Sequence, residues 1–204
     1  MASTRVPRRR SETRARLLAA GRQLLLEQGL TQVSIDAVTE RAGYTRGAFY
    51  SNFGSMDELI FAVYGQHMAG VLATLDSVGE RLAGAPAPAT LEQAVAAVLE
   101  ALPFDVNWLD IRVGFAAQAG RNPELADLLA AQDRQLRDGL EPALLRIMAA
   151  TGRRLTVDGS EFTQAMLAAH DGALAHSATT PDPHRLRTTL CAAVFSAMTV
   201  QARS

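Results

Sequence analysis

Residues 34–53, SIDAVTERAGYTRGAFYSNF, restrict what this chain can fold into more than any other stretch. Ser34 is placed to cap a helix whose inner face carries Ile35, Val38 and Ala42. Gly43 then permits a tight left-handed turn, because a residue without a Cβ enters positive φ at little cost. Thr45 is placed to cap a second, short helix, with Phe49 and Phe53 on one side and Arg46, Gly47 and Tyr50 toward the other. That pattern is a helix-turn-helix. Its second helix is polar at the N-terminal end and anchored from behind by aromatics, as a helix entering a DNA major groove has to be. An ordinary helical hairpin satisfies the same spacing, so the motif alone leaves both readings open.

Charge supports the first reading. The formal net charge is −1, but residues 1–53 carry nine Arg against four acids, +5, and residues 54–204 carry eleven Arg against seventeen acids, −6. The positive part coincides with the helix-turn-helix, where phosphates would have to be neutralised. With 48% hydrophobic residues but 5% aromatics, the 204-residue chain must pack largely through Leu and Ala, which favours helices over strands. There is no run of 18 uncharged apolar residues and no signal-peptide pattern, so a soluble, cytoplasmic protein is expected, with no membrane partner. The single Cys191, inside LCAAVF, reads as a buried small hydrophobe.

From about Thr13 to Tyr64 the chain resembles the tetracycline-repressor (TetR) family of bacterial transcription regulators, through TRARLLAAGRQLLLEQGL, VTERAGYTRGAFYSNFGSMDELI and FAVY. The most specific part is the RAG turn followed by G-x-x-Y-x-x-F (Gly47, Tyr50, Phe53) and S-x-x-E-L (Ser55, Glu58, Leu59). The resemblance implies an all-α homodimer. A three-helix DNA-binding domain would come first, then a helical domain that binds a small effector and carries the dimer interface. It implies a ligand-released repressor on a pseudo-palindromic double-stranded DNA operator. Carried over residue by residue, it assigns base reading mainly to Thr45 and Arg46, with Gly47 keeping the helix surface low. Tyr50, Ser51 and Asn52 become phosphate or occasional base contacts, and Ser34 a phosphate contact. Ser51 and Asn52 stand where the family often has Tyr and His. Met56 is a further departure, because the family usually has a phosphate-contacting Lys there.

In chain order, residues 1–10 (MASTRVPRRR) read as a basic flexible arm. Its Arg5, Arg8, Arg9 and Arg10 either reach DNA or form a solvated tail of diffuse charge. Residues 11–71 then form the DNA-binding domain and the start of a linking helix, and residues 72–204 the effector and dimerisation domain. Ser11 is expected to cap a first helix ending at Gln28 and Gly29. Ser55 with Glu58 is a capping box opening a long helix toward Arg81, a natural lever between the two parts. After the loop GAPAPA (84–89), Thr90 with Gln93, Asn107, Asn122-Pro123, Asp158 with Glu161 and Asp182-Pro183 open five more helices. The last runs to about Ala202. Nine helices and no strand are expected.

Two groups of residues in the second domain invite assignment. Ala168, Gly172 and Ala175 form a small-residue stripe, and Leu190, Val194, Ala197 and Met198 an apolar face on the next helix. They suit a symmetric dimer interface, or else packing within one chain. Trp108, Arg112 and Phe115 recur at i, i+4 and i+7, placing an Arg between two aromatics that could hold the polar end of an apolar ligand. An Arg paired with Asp105 or Asp110 would use the same residues structurally. Met166 and His170, with Asp171 beside them, are candidates to line the same pocket, or His170 is a satisfied core histidine. No cofactor is expected and no metal, since His170 and His176 are six apart and no Cys pair exists. No phosphate loop, nucleophile elbow or acid/base pair marks an enzyme. An effector-blind architectural DNA-binding protein, or more remotely an all-α enzyme, are the alternatives.

Overall fold

A computed structural model describes residues 6–202 of the chain. The elements are α1 (Val6–Gln28), a 3₁₀ turn (Leu30–Gln32), α2 (Ile35–Ala42), α3 (Arg46–Tyr50), α4 (Met56–Ala83), α5 (Leu91–Ala101), α6 (Val106–Ala119) and α7 (Pro123–Ala149). A short strand β1 (Arg153–Leu155), α8 (Gly159–Ala175), α9 (Pro183–Ala197) and β2 (Thr199–Gln201) complete it. The fold is all-α, with nine α-helices among the described residues.

Side-chain caps set most of the helix starts. The hydroxyls of Ser34, Thr45 and Ser55 accept from the amides of Ala37 (3.2 Å), Ala48 (3.3 Å) and Glu58 (3.1 Å). Each removes one of the orphan donors at a helix N-terminus. Thr90 and Gln93 form the full reciprocal box. Asn122, Asp158 and Asp182 cap α7, α8 and α9, and α7 continues through Pro142. The box at Ser55 is altered, since the Glu58 carboxylate accepts from Gly54 N–H at 2.6 Å.

Four expectations are corrected. Helix α1 begins at Val6, so Ser11 lies inside it and residues 6–10 of the expected arm are helical backbone. Residues 1–5, with Arg5, lie outside the described part, as do the side chains of Arg8 and Arg9. Helix α6 is capped by Asp105, which accepts from Asn107 N–H at 2.9 Å, in place of Asn107 itself. Helix α9 stops at Ala197, and Thr199–Gln201 pairs antiparallel with Arg153–Leu155, where no strand was expected. The left-handed Gly152 (φ 67°) turns the chain into β1, and Arg153 locks the pair by donating to Thr199 Oγ1 and O at 2.6 and 2.9 Å.

Two apolar cores meet along α4. One joins Leu17, Leu24 and Leu25 of α1 to Val38, Phe49, Phe53, Leu59 and Val63, and it also takes in Trp108, Ile111 and Phe115 of α6. The other packs Val71, Leu75 and Val78 of α4 against α5, α7, α8 and α9, with Cys191 fully buried in it. The 28 residues of α4, about 42 Å at 1.5 Å per residue, therefore thread both. Helix α6 locks onto the first core at close range, because a Cβ on Gly114 would lie 2.5 Å from Leu30 Cδ2. No helix of the described residues is long and apolar enough to cross a membrane.

Candidate nucleic-acid interface and cavity

Local chemistry builds the helix-turn-helix. Gly43 adopts φ 72°, ψ 35°, and its amide and that of Tyr44 close the end of α2 on the carbonyls of Glu40 and Thr39. That is a Schellman ending, which a residue with a Cβ adopts only under strain. Behind α3, Phe49 and Phe53 are fully buried with ring centroids 5.7 Å apart. Arg14 of α1 lays its guanidinium 4.3 Å over the Phe53 ring. Anchored in this way, a helix of five residues leaves Thr45, Arg46, Gly47, Tyr50 and Ser51 exposed, with Tyr50 at 58%.

The outward residues are not equally available. Arg46 Nε and Nη2 donate to Asp36 Oδ1 and Oδ2 at 2.5 and 2.8 Å, an exposed two-bond ion pair across the turn. Ser51 Oγ donates back to Gly47 O at 2.9 Å. Asn52 is turned inward: its Nδ2 donates to Ala48 O at 2.8 Å and its Oδ1 is buried. Arg10, at the start of α1, donates to the carbonyl of Ser51 at 2.9 Å, bringing that helix end beside the end of α3. Ser34 is exposed at the start of α2, while Met56 is half-buried against the first core.

A cavity of about 520 Å³, its open mouth included, lies between α4, α6, α7 and α8. One wall is aromatic: His67 stacks on Trp108 with centroids 3.9 Å apart and 7° between planes, beside Tyr64. Leu136, Leu140, Leu167 and Leu174 form the opposite wall. At the polar end Arg112 pairs with Asp171 of α8, and neither Asp105 nor Asp110 takes that role. His170 lies next to this pair, 6% exposed, with its Nδ1 unpartnered. Burial holds both imidazoles down at about 4, helped by Arg22 at His67 and by Arg187 and Arg112 at His170, so both are neutral at pH 7. Burial also pushes the Tyr64 phenol up to about 12. Burial raises the Asp171 carboxyl and its pairing with Arg112 opposes that rise.

Of the residues expected to line a pocket, Trp108, Arg112 and His170 do so. Phe115 and Met166 do not. Two turns beyond Trp108, Phe115 has passed the cavity and stacks on Phe61 at 4.3 Å in the first core. Met166 is packed into the second core with Phe162 and Phe195. Tyr64, His67 and Met68 of α4 line the cavity, and nothing in the sequence pairs them with α6 beyond the aromatic spacing Phe61, Tyr64, His67. No group of three or more His, Cys, Asp or Glu side chains among the described residues could hold a metal ion.

Helices α8 and α9 pack on each other and leave a face uncovered. Ala168, Ala175 and Ala197 are exposed, and Gly172, Leu190, Val194 and Met198 half-buried. A Cβ built on Gly172 meets nothing within 4 Å, so packing within one chain does not use this stripe up.

A helix-turn-helix backed by buried aromatics, preceded by an Arg-rich first helix and packed on a helical body that holds a cavity, is the architecture of a DNA-binding transcriptional regulator. Residues 17–63 match the profile of bacterial regulatory proteins of the tetR family, and residues 87–198 that of the C-terminal domain of BetI-type transcriptional repressors. The chain belongs to the tetR family. No curated protein matches it. Among solved structures, it is similar to a TetR-family transcriptional regulator from Mesorhizobium loti at a TM-score of 0.68 and 15% identity, over 93% of this chain and 96% of that one. A TetR-family regulator from Streptomyces coelicolor aligns at 0.62 and 24%, over 92% and 96%. RolR in complex with resorcinol aligns at 0.56 and 23%, over 94% and 90%. Proteins of the family bind DNA and small-molecule effectors and work as dimers.

Proposed function

We propose that this regulator binds a pseudo-palindromic operator as a homodimer, that Arg46 and Thr45 of each subunit read base edges, and that an effector in the α4–α8 cavity releases the DNA. The observation that carries the reading is the polar, exposed start of α3 held rigid by buried Phe49 and Phe53. Tyr50, Ser51 and Ser34 then face the sugar-phosphate backbone, with Arg10 beside them; Asn52, turned inward, keeps α3 in shape. Selection of duplexes from a random pool by the purified protein tests this. A two-fold site with half-sites about 34–36 Å apart, or a multiple of that, is the expected result. Arg46→Ala should lower affinity for the selected duplex by about 1–3 kcal/mol and relax preference at one base pair per half-site. If the base preference of that variant matched the wild type, Arg46 would not be a reader.

Met56 makes a second test of the same docking. Without a Lys at the start of α4, each subunit lacks one phosphate contact. Met56→Lys is expected to tighten binding to selected and random DNA alike, and to make the log–log salt slope more negative by roughly 1.8 per dimer. The Met56 side chain is half-buried, so part of its apolar contact must be taken over by the Lys stem. A slope that does not move would separate the start of α4 from the DNA backbone.

For the effector, α6 is the supporting element. It carries Trp108 and Arg112 on the cavity, and Ile111, Gly114 and Phe115 on the DNA-binding core. A ligand that widened the cavity would displace α6 and α4 together and change the spacing of the two recognition helices. A 100-fold preference for one spacing corresponds to about 2.7 kcal/mol of coupling. That RolR holds resorcinol within the same fold supports a small-molecule site in this body.

A further inference from the structure

The Asp36–Arg46 pair calls for an account that base reading by Arg46 alone does not supply. A carboxylate on a DNA-facing surface repels phosphates, and Asp36 is exposed beside Arg46, the residue proposed to read bases. Its place in the first turn of α2 suits its charge to the helix dipole, but so would many positions farther from DNA. The geometry of the contact is more informative. Asp36 takes the guanidinium from the side, through Nε–H and one Nη2–H. A guanidinium has five N–H donors in a fixed plane, so both Nη1–H groups and the second Nη2–H remain. The two end-on donors, one on each Nη, are the parallel pair that fits guanine O6 and N7. Both side chains are about two-thirds exposed, 65% for Arg46 and 66% for Asp36, so the end-on edge is open to an incoming base.

We infer that Asp36 is a positioning residue for base selection: it holds the Arg46 guanidinium side-on, so that its end-on fork is presented, already oriented, to a guanine. The inference rests on the assignment of Arg46 as a reader. A free Arg must freeze several torsions on binding a base, and a pre-held one has already done so. The plane set by Asp36 also narrows which partners are accepted. Guanine offers two acceptors side by side on the major-groove edge, whereas adenine offers one acceptor beside a donor. Asp36 therefore acts in opposite directions on two quantities. It should raise discrimination in favour of guanine and lower affinity for DNA in general.

The test measures binding of wild type, Asp36→Asn, Asp36→Ala, Arg46→Ala and Asp36→Asn/Arg46→Ala to three probes. These are the duplex enriched from the random pool, the same duplex with the Arg46-dependent base pair replaced, and a random duplex. Melting curves accompany each variant, and Asp36→Asn keeps the shape of the side chain if Asp36→Ala perturbs α2. The expected result is a fall of about 3–10-fold in discrimination between the first two probes for both Asp36 variants, from the ordering of one long side chain. Affinity for the random duplex should rise in the same variants. In the Arg46→Ala background Asp36→Asn should change discrimination no further. Unchanged discrimination in the Asp36 variants, with Arg46→Ala relaxed, overturns this inference and leaves Arg46 as reader. Equal tightening on all three probes also overturns it, since Asp36 would then merely mask Arg46. Unrelaxed preference in Arg46→Ala removes the reader assignment and this inference with it.

Discussion

Gly172→Arg is expected to turn the dimer into folded monomers and to abolish operator binding at concentrations where the wild type saturates it. The substitution separates folding from association unusually well. In the single chain a Cβ at Gly172 meets nothing within 4 Å, so the arginine stem projects into solvent. Replacing a glycine inside α8 also favours the helix by about 0.5–1 kcal/mol. Against a second copy of α8 and α9 the same side chain would have to lose its water without a partner, which is costly. A two-fold interface uses the position twice, so the penalty doubles. The loss in DNA binding follows from linkage of two half-site contacts. A dimer engages its second half-site at a high effective concentration, and losing this weakens binding by about 10²–10⁴-fold. Sedimentation and operator titration measure both effects, while circular dichroism reports the fold. A variant that sediments as a dimer and binds normally would move the interface away from Ala168, Gly172 and Ala175.

How far the sequence reveals this molecule depends on the range of the interaction. Caps act over three residues, so Ser34, Thr45, Ser55, Thr90, Asn122, Asp158 and Asp182 were readable as helix starts, and each is one. The start of α6 is ambiguous in the sequence because Asp105 and Asn107 are both able to cap, and only the path of the preceding loop chooses between them. The strand pair leaves no mark in the sequence because three-residue strands carry no periodicity, and their partners are more than forty residues apart. Among functional groups, the exposed face of α3 follows from the positions of Phe49 and Phe53. The capture of Arg46 by Asp36 does not, since it depends on how α2 and α3 cross. The cavity was half legible for a similar reason. Trp108 and Arg112 share a helix, whereas His67 joins them only through the packing of α4 on α6. Phe115 shows the converse: it shares a helical face with Trp108, yet lies far enough along the axis to belong to a different core.

Phe115 sits in the core of the DNA-binding part although its helix, α6, also lines the cavity with Trp108 and Arg112. Its ring is 2% exposed and stacked on Phe61 of α4, within the apolar cluster that also takes in residues of α1, α2 and α3. Phe115→Ala should cost about 3–5 kcal/mol of stability, the usual range for a buried aromatic truncated to alanine. The more telling expectation concerns where the cost is felt. If residues 11–71 formed a domain with a core of its own, truncating a side chain on α6 would loosen α6 and its neighbours in the body only. In the shared core it should also speed hydrogen exchange at buried amides of α1 and the first half of α4, around Leu24, Leu59 and Val63, which lie in the same cluster. Amides around Leu144 and Ile147, in the other core, should be less affected under conditions where opening is local. Met166→Ala provides the matching perturbation, with the opposite distribution. Exchange changes confined to α6–α9 in Phe115→Ala would show that the DNA-binding part is autonomous. Movement of α6 would then not reach the recognition helix by this route, and α4 alone would have to carry the effector's signal.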